Sequence, residues 1–204
     1  KKKYENYSAI LVSGSIGSLY FITFFAYNHF HMMHQFTAFF MMVLFTIFAV
    51  IAAINYNRVL IAHIGLVGAY AVPFLLSNNS GQAEILFSYM AIVNTGILVL
   101  SVKKYWKSLY YSSFSLTWVI FLAWYFNDFN LNNHFEMALL FISIFFTLFY
   151  IVLLSYKLHK KEIFNVDDVL LMLANAFIFY GLGYAIINAH PLGDSFLGLY
   201  TLFN

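Results

Sequence analysis

The chain has 204 residues, of which 63% are hydrophobic and only 9% charged, and its mean hydropathy is +0.80. Soluble domains carry about a quarter of their residues as charges, and a chain this short has too little interior to hide so much apolar surface. Lipid is therefore its solvent. The formal charge of +2 is too small to point to nucleic acid, and the absence of cysteine removes disulfides, thiolate metal sites and cysteine nucleophiles.

In chain order, the sequence opens on Lys1-Lys2-Lys3, with no secretory cleavage pattern after the first apolar run. A first apolar segment, roughly 7–28, has the length of about 20 residues that a membrane helix needs. Ser8, Ser15 and Ser18 share one of its faces, flanked by Gly14 and Gly17. The connector Asn28-His29-Phe30-His31-Met32-Met33-His34 follows, and two readings of it are open. His29, His31 and His34 offer imidazoles to zinc or copper, with thioethers that favour Cu(I), and also a proton-sensitive patch. Otherwise the connector is an interfacial turn with its amphipathic side chains among the headgroups.

A second segment, roughly 35–55, leads through Arg58 to a third, roughly 57–77. The third contains His63 about two turns in, Gly65 and Gly68, and Pro73 near its end. Pro73 lacks a backbone donor and clashes with the preceding turn, which predicts a kinked or loosened exit. The polar turn Asn78-Asn79-Ser80-Gly81-Gln82 joins it to a fourth segment, roughly 84–102. Glu84 starts that helix, where the helix dipole stabilises a carboxylate by about 0.3–1 kcal/mol. Glu84, Ser88, Ala91 and Thr95 fall on one face with Asn94 beside it, as a packing seam or as the lining of a polar cavity.

Lys103, Lys104 and Lys107 precede a fifth segment, roughly 107–126, and a sixth runs roughly 135–157. Lys157, Lys160 and Lys161 follow it, and Asp167 and Asp168 open a seventh segment, roughly 166–188, with Asn175 near its middle. The acidic pair reads as a helix cap or as part of a proton relay. The last residues, Phe196 to Asn204, read as the first turns of an eighth apolar helix, and both ends look like cuts within a longer protein.

Runs this long must satisfy their own backbone groups, so they are helices. The expected fold is an all-α polytopic transmembrane bundle of about seven spans, built as helical hairpins, plus the start of an eighth, with residues 1–204 as one domain. Every Lys and Arg falls on loops of one side, and the loops near 29–34, 78–83, 127–134 and 189–195 hold none. The positive-inside rule then places the amino end in the cytoplasm. Cytoplasmic starts recur roughly every fifty residues, and Gly14 and Gly17 match Gly65 and Gly68 at one offset. That pattern is an old duplication or a coincidence.

One stretch carries a family likeness. The Gly-rich third segment, the exit Pro73-Phe74-Leu75-Leu76-Ser77, the Asn79-Ser80-Gly81 turn and the restart Leu86-Phe87-Ser88-Tyr89 resemble the DUF2339 family of predicted bacterial membrane proteins. Ser13-Gly14-Ser15-Ile16-Gly17, Phe30-His31-Met32-Met33, Lys104-Tyr105-Trp106-Lys107 and Val166-Asp167-Asp168 extend the resemblance. The chain departs from the pattern at Val67-Gly68-Ala69, where a Gly-Gly pair is usual, and at Met33-His34-Gln35, where a Pro-rich turn is usual. Asn78-Asn79 likewise stands where Thr-Gly is common. The resemblance implies a long, many-span protein of the bacterial inner membrane and names no reaction. Its central hairpin, with Pro73, Asn78, Asn79, Ser80, Gly81 and Glu84, is the first candidate for a functional site. The intramembrane polar residues His63, Ser88, Asn94 and Asn175 are the second.

No phosphate loop, nucleophile elbow or His-Glu-x-x-His motif is found, and no cofactor is implied. The expected partners are membrane lipids and either the remainder of a longer polypeptide or other membrane subunits. The functional reading is a structural or assembly module of a larger envelope protein. The alternative is a transporter, channel or lipid-handling core, and a third reading is an intramembrane enzyme or metal sensor using the connector histidines.

Overall fold

A computed structural model describes residues 2–75, 83–103, 106–191 and 193–202. Among them every regular element is a helix: α1 (Lys2–Asn28), α2 (Gln35–Tyr56), α3 (Val59–Leu75), α4 (Ala83–Lys103), α5 (Lys107–Asn127), α6 (Leu131–Lys160), α7 (Val166–Asn188) and α8 (Gly193–Leu202). The first seven coincide with the seven expected segments. Five of them, α1, α2, α4, α6 and α7, are long and apolar enough to cross a membrane.

The other two expected spans fall short for different reasons. The described part of α3 has 17 residues, about 25 Å at 1.5 Å per residue, against about 30 Å of hydrocarbon. Helix α5 is long enough at 21 residues, but Lys107, Ser108, Tyr110 to Ser113, Ser115 and Thr117 make its first half polar. Helix α8 has 10 residues and packs along α7.

The helix ends follow from local chemistry. Asn57 and Lys161 close α2 and α6 in the left-handed conformation, and their N–H groups take up carbonyls of the last turn. Asn130 opens α6 by accepting from the Asn132 N–H, while its own N–H donates to His134 Nδ1. At the start of α7 the side chains of Asn165 and Asp168 form a reciprocal capping box, which satisfies two donors that a helix start otherwise leaves open.

The chain packs as two compact units, residues 1–82 with 106–113, and residues 83–105 with 114–204. In the first, α2 lies against α1 and α3, and α1 also meets α3. The fully buried residues of α2 are Ala38, Met42, Ala49 and Ala53, whose spacing puts them on one face. Three of the four are alanines, so a neighbouring backbone can come close. Gly65 of α3 uses that opening: a Cβ there would lie 2.6 Å from the Ala49 Cβ. Gly68 accommodates the Tyr20 ring from α1 in the same way. The Thr46 hydroxyl donates its one proton to the Met42 carbonyl, so the Tyr20 hydroxyl, 2.5 Å away, donates to Thr46.

In the second unit α6 packs against both α4 and α7. Phe87 of α4 meets Phe121 and Trp124 of α5 and Phe141 and Phe145 of α6, with ring centroids 5.0–6.1 Å apart. On another face of α6, Phe146 stacks on Phe179 of α7 at 4.5 Å and 15°. Offset and edge-on pairs of this kind contribute about 0.5–1.5 kcal/mol each beyond the area they bury. Tyr200 of α8 lies over Gly183 and donates to the Phe179 carbonyl at 2.7 Å.

Candidate functional site

In hydrocarbon a polar side chain needs a partner within the protein. Helices meet this demand cheaply where a hydroxyl turns back onto the carbonyl one turn earlier. Ser13, Ser15, Thr95 and Ser143 do so, onto Ala9, Leu11, Ala91 and Leu139 respectively. The same device satisfies His63, whose Nδ1–H donates to the Val59 carbonyl at 2.9 Å.

Asn94 and Asn175 differ, because each reaches another helix. Asn94 is 1% exposed, and its amide donates to the Thr117 hydroxyl of α5 at 3.1 Å. Asn175, equally buried, donates to the Phe146 carbonyl of α6 at 3.0 Å. Such bonds contribute about 0.6 kcal/mol on average between membrane helices. Glu84, Ser88 and Thr95, which the sequence groups with Asn94, are exposed. The polar face of α4 is thus split: Asn94 turns into the aromatic interior and the others turn out. Ser15 and Ser18 of α1 are likewise exposed, and a Cβ at Gly14 or Gly17 would meet nothing within 4 Å.

The central hairpin is partly described. Helix α3 continues past Pro73 to Leu75, and Glu84 sits exposed in the first turn of α4. Asn78, Asn79, Ser80 and Gly81 lie outside the described residues. In the α1–α2 connector His29, His31 and His34 are all exposed, and His31 has a left-handed backbone with φ 50°. Among the described residues no three His, Asp or Glu side chains are gathered so as to hold a metal ion.

Sequence reasoning missed the buried ion pair that stands among the described residues. Lys157, in the last turn of α6 beyond the apolar segment that ends at Ser155, is 2% exposed. Its ammonium lies 2.8 Å from Asp168 and 3.6 Å from Glu162, and it donates to the Ile163 carbonyl at 3.2 Å. Asp168 is fully buried and also accepts from the Asn165 N–H at 3.0 Å. One lysine therefore ties the end of α6, the turn and the start of α7 together. Its hydrogen bond to the Asp168 carboxylate holds the Lys157 ammonium above its ordinary value of 10.5, against the lowering effect of burial. A lysine whose folded value is raised stabilises fully below its ordinary value and loses that contribution as pH rises through the folded one. Neutral and acidic conditions down to carboxylate protonation therefore leave the ammonium side of this tie intact. The signal in the sequence was a lysine and an aspartate on either side of a five-residue turn, both already accounted for as a loop charge and a cap.

A family model described as a predicted membrane protein, DUF2339, matches residues 1–202. No curated protein and no solved structure matches the chain.

Proposed function

Because the chain belongs to the DUF2339 family of predicted membrane proteins, we propose that it is a multi-pass structural or assembly module of the bacterial inner membrane. The observation that carries this reading is the use of Asn94 and Asn175, the two asparagines buried among the described residues, both spent on bonds between helices. The Lys157–Asp168 pair, spent on a turn, agrees with it. A conduit needs polar groups that face water along a path, and these face helices. The competing reading, a transport or lipid-handling core, draws on Trp118 Nε1 and Asn175 Oδ1, two buried atoms without a hydrogen-bond partner among the described residues. Purified protein in liposomes separates the two. The structural reading predicts proton and potassium leak and fluorescent-lipid flipping at the level of empty liposomes, whereas protein-dependent leak or flipping contradicts it.

In this proposal the chain crosses about seven times with its amino end in the cytoplasm, so α3 and α5 also span. Support comes from the Lys and Arg residues, which fall at alternate turns only if both helices cross. Since the chain has no cysteine, single substitutions report topology directly. Asn133→Cys, at the start of α6, is expected to react with an impermeant maleimide in intact cells. Asn57→Cys and Lys161→Cys are expected to react only after permeabilisation, and labelling of all three from outside would refute the arrangement.

A further inference from the structure

The charges of the first unit are gathered at one of its ends. Residues 1–82 with 106–113 hold five basic residues, Lys1, Lys2, Lys3, Arg58 and Lys107, against one carboxylate, Glu5. The second unit holds as many basic residues against seven carboxylates. Lys2 and Lys3 start α1, and Arg58 stands between the end of α2 and the start of α3. Because α1, α2 and α3 pack against one another and are joined by short connectors, the start of α1 and Arg58 share one end, opposite the α1–α2 connector. Lys107 opens α5, whose Ser113 carbonyl accepts from the Tyr70 hydroxyl of α3 at 3.4 Å. The position of Lys107 at that same end rests on the seven-span arrangement of the proposed function. Neither α3 nor α5 has an acidic residue in its first turn, so Glu5 is the one carboxylate the unit can set against these charges.

An excess of lysine and arginine charge attracts an anion at every physiological pH. The surroundings decide which anion. Arg58, Trp106 and Lys107 are half-buried and Tyr56 is 40% exposed, and tryptophan and tyrosine rings settle at the level of lipid headgroups. Directly beyond Arg58 the outward face of α3 is apolar, with Leu60 55% and Val67 60% exposed two turns apart. Basic groups at a helix end, continued by an apolar helix face, match the phosphate and the acyl chain of one molecule. We propose that this end of the first unit is a binding site for an anionic phospholipid, held at its phosphate by Arg58 and Lys107, with an acyl chain along Leu60 and Val67. The guanidinium fork suits two phosphate oxygens, and the lysine serves as a point charge beside it. A basic charge at a lipid surface contributes about five-fold in affinity, so the two together give about 25-fold.

The test uses the whole chain in neutral detergent, with phosphatidylglycerol or phosphatidylcholine added as mixed micelles and retained lipid counted by native mass spectrometry. Wild type is expected to retain phosphatidylglycerol over phosphatidylcholine. Arg58→Gln and Lys107→Gln each lower that preference about five-fold, and the double variant lowers it at least about ten-fold. The single variants decide the matter if the double variant does not fold. Lys161→Gln, in a turn of the other unit that also holds Glu162, leaves the preference in place. The proposal is overturned if the glutamine variants keep the preference, or if Lys161→Gln costs as much as they do. Displacement of the lipid by inorganic phosphate at equal concentration also overturns it, because the surface would then hold a free anion. The cysteine labelling tests the seven-span arrangement by itself, so labelling as expected together with an unchanged preference overturns the lipid site alone.

Discussion

Replacing Lys157 by methionine is expected to cost about 3–5 kcal/mol of stability, the range found when one partner of a buried ion pair is removed. The penalty arises because Asp168 is fully buried and would be left as a carboxylate facing an apolar side chain. Asp168→Ala is expected to be worse by about 1 kcal/mol, since it also removes the side-chain cap that the Asn165 N–H uses. Changing both residues together, Lys157→Met with Asp168→Leu, removes the charges as a pair and should recover most of the loss. It remains below wild type by about the value of the cap. Thermal midpoints in detergent give the ranking, with Asp168→Ala lowest, Lys157→Met next and the double variant above both. Additive losses would show that the two charges do not depend on each other.

The second large effect belongs to Gly65. A methyl group there would lie 2.6 Å from the Ala49 Cβ, and neither atom can rotate away because each is bonded directly to a helix backbone. Gly65→Ala must therefore push α2 and α3 apart, at about 1–3 kcal/mol by the cost of overpacking. Gly65→Leu should prevent the first unit from packing. Gly14→Ala is the matched control. Its Cβ would meet nothing within 4 Å, so the better helix propensity of alanine leaves stability unchanged or raises it by up to about 1 kcal/mol. Unfolding of the three variants in detergent checks the order, and equal behaviour of Gly14→Ala and Gly65→Ala would refute the close approach.

These two cases mark what could be read from the sequence. Helix positions were legible because apolar length and end chemistry act locally: Arg58 separates α2 from α3, and Asp168 caps α7 as its first-turn position suggested. Facing was not legible. The segments are apolar nearly all round, so spacing could group Asn94 with Ser88 and Thr95 but could not show that Asn94 alone turns inward. Spacing likewise equated Gly14 and Gly17 with Gly65 and Gly68, yet only the second pair lies against a neighbouring helix. That difference depends on which residues the neighbours bring, here Ala49 and Tyr20. Lys157 was counted as a loop charge because a positive charge after an apolar run usually is one. Its burial depends on Asp168 reaching back across the turn, a contact that no periodicity encodes. The hairpin at Asn78 to Gly81, which carries the family likeness, lies outside the described residues.

The central claim is that Asn94 and Asn175 are buried to hold helices together and do not line a water-filled path. Asn94→Cys in the cysteine-free chain tests it most directly, with Asn133→Cys as the exposed reference. With a small water-soluble thiosulfonate applied to both sides of the membrane, position 133 is expected to react fully and position 94 not at all. Modification of position 94 at a rate comparable to that of position 133 would place water in the interior at that position and contradict the account.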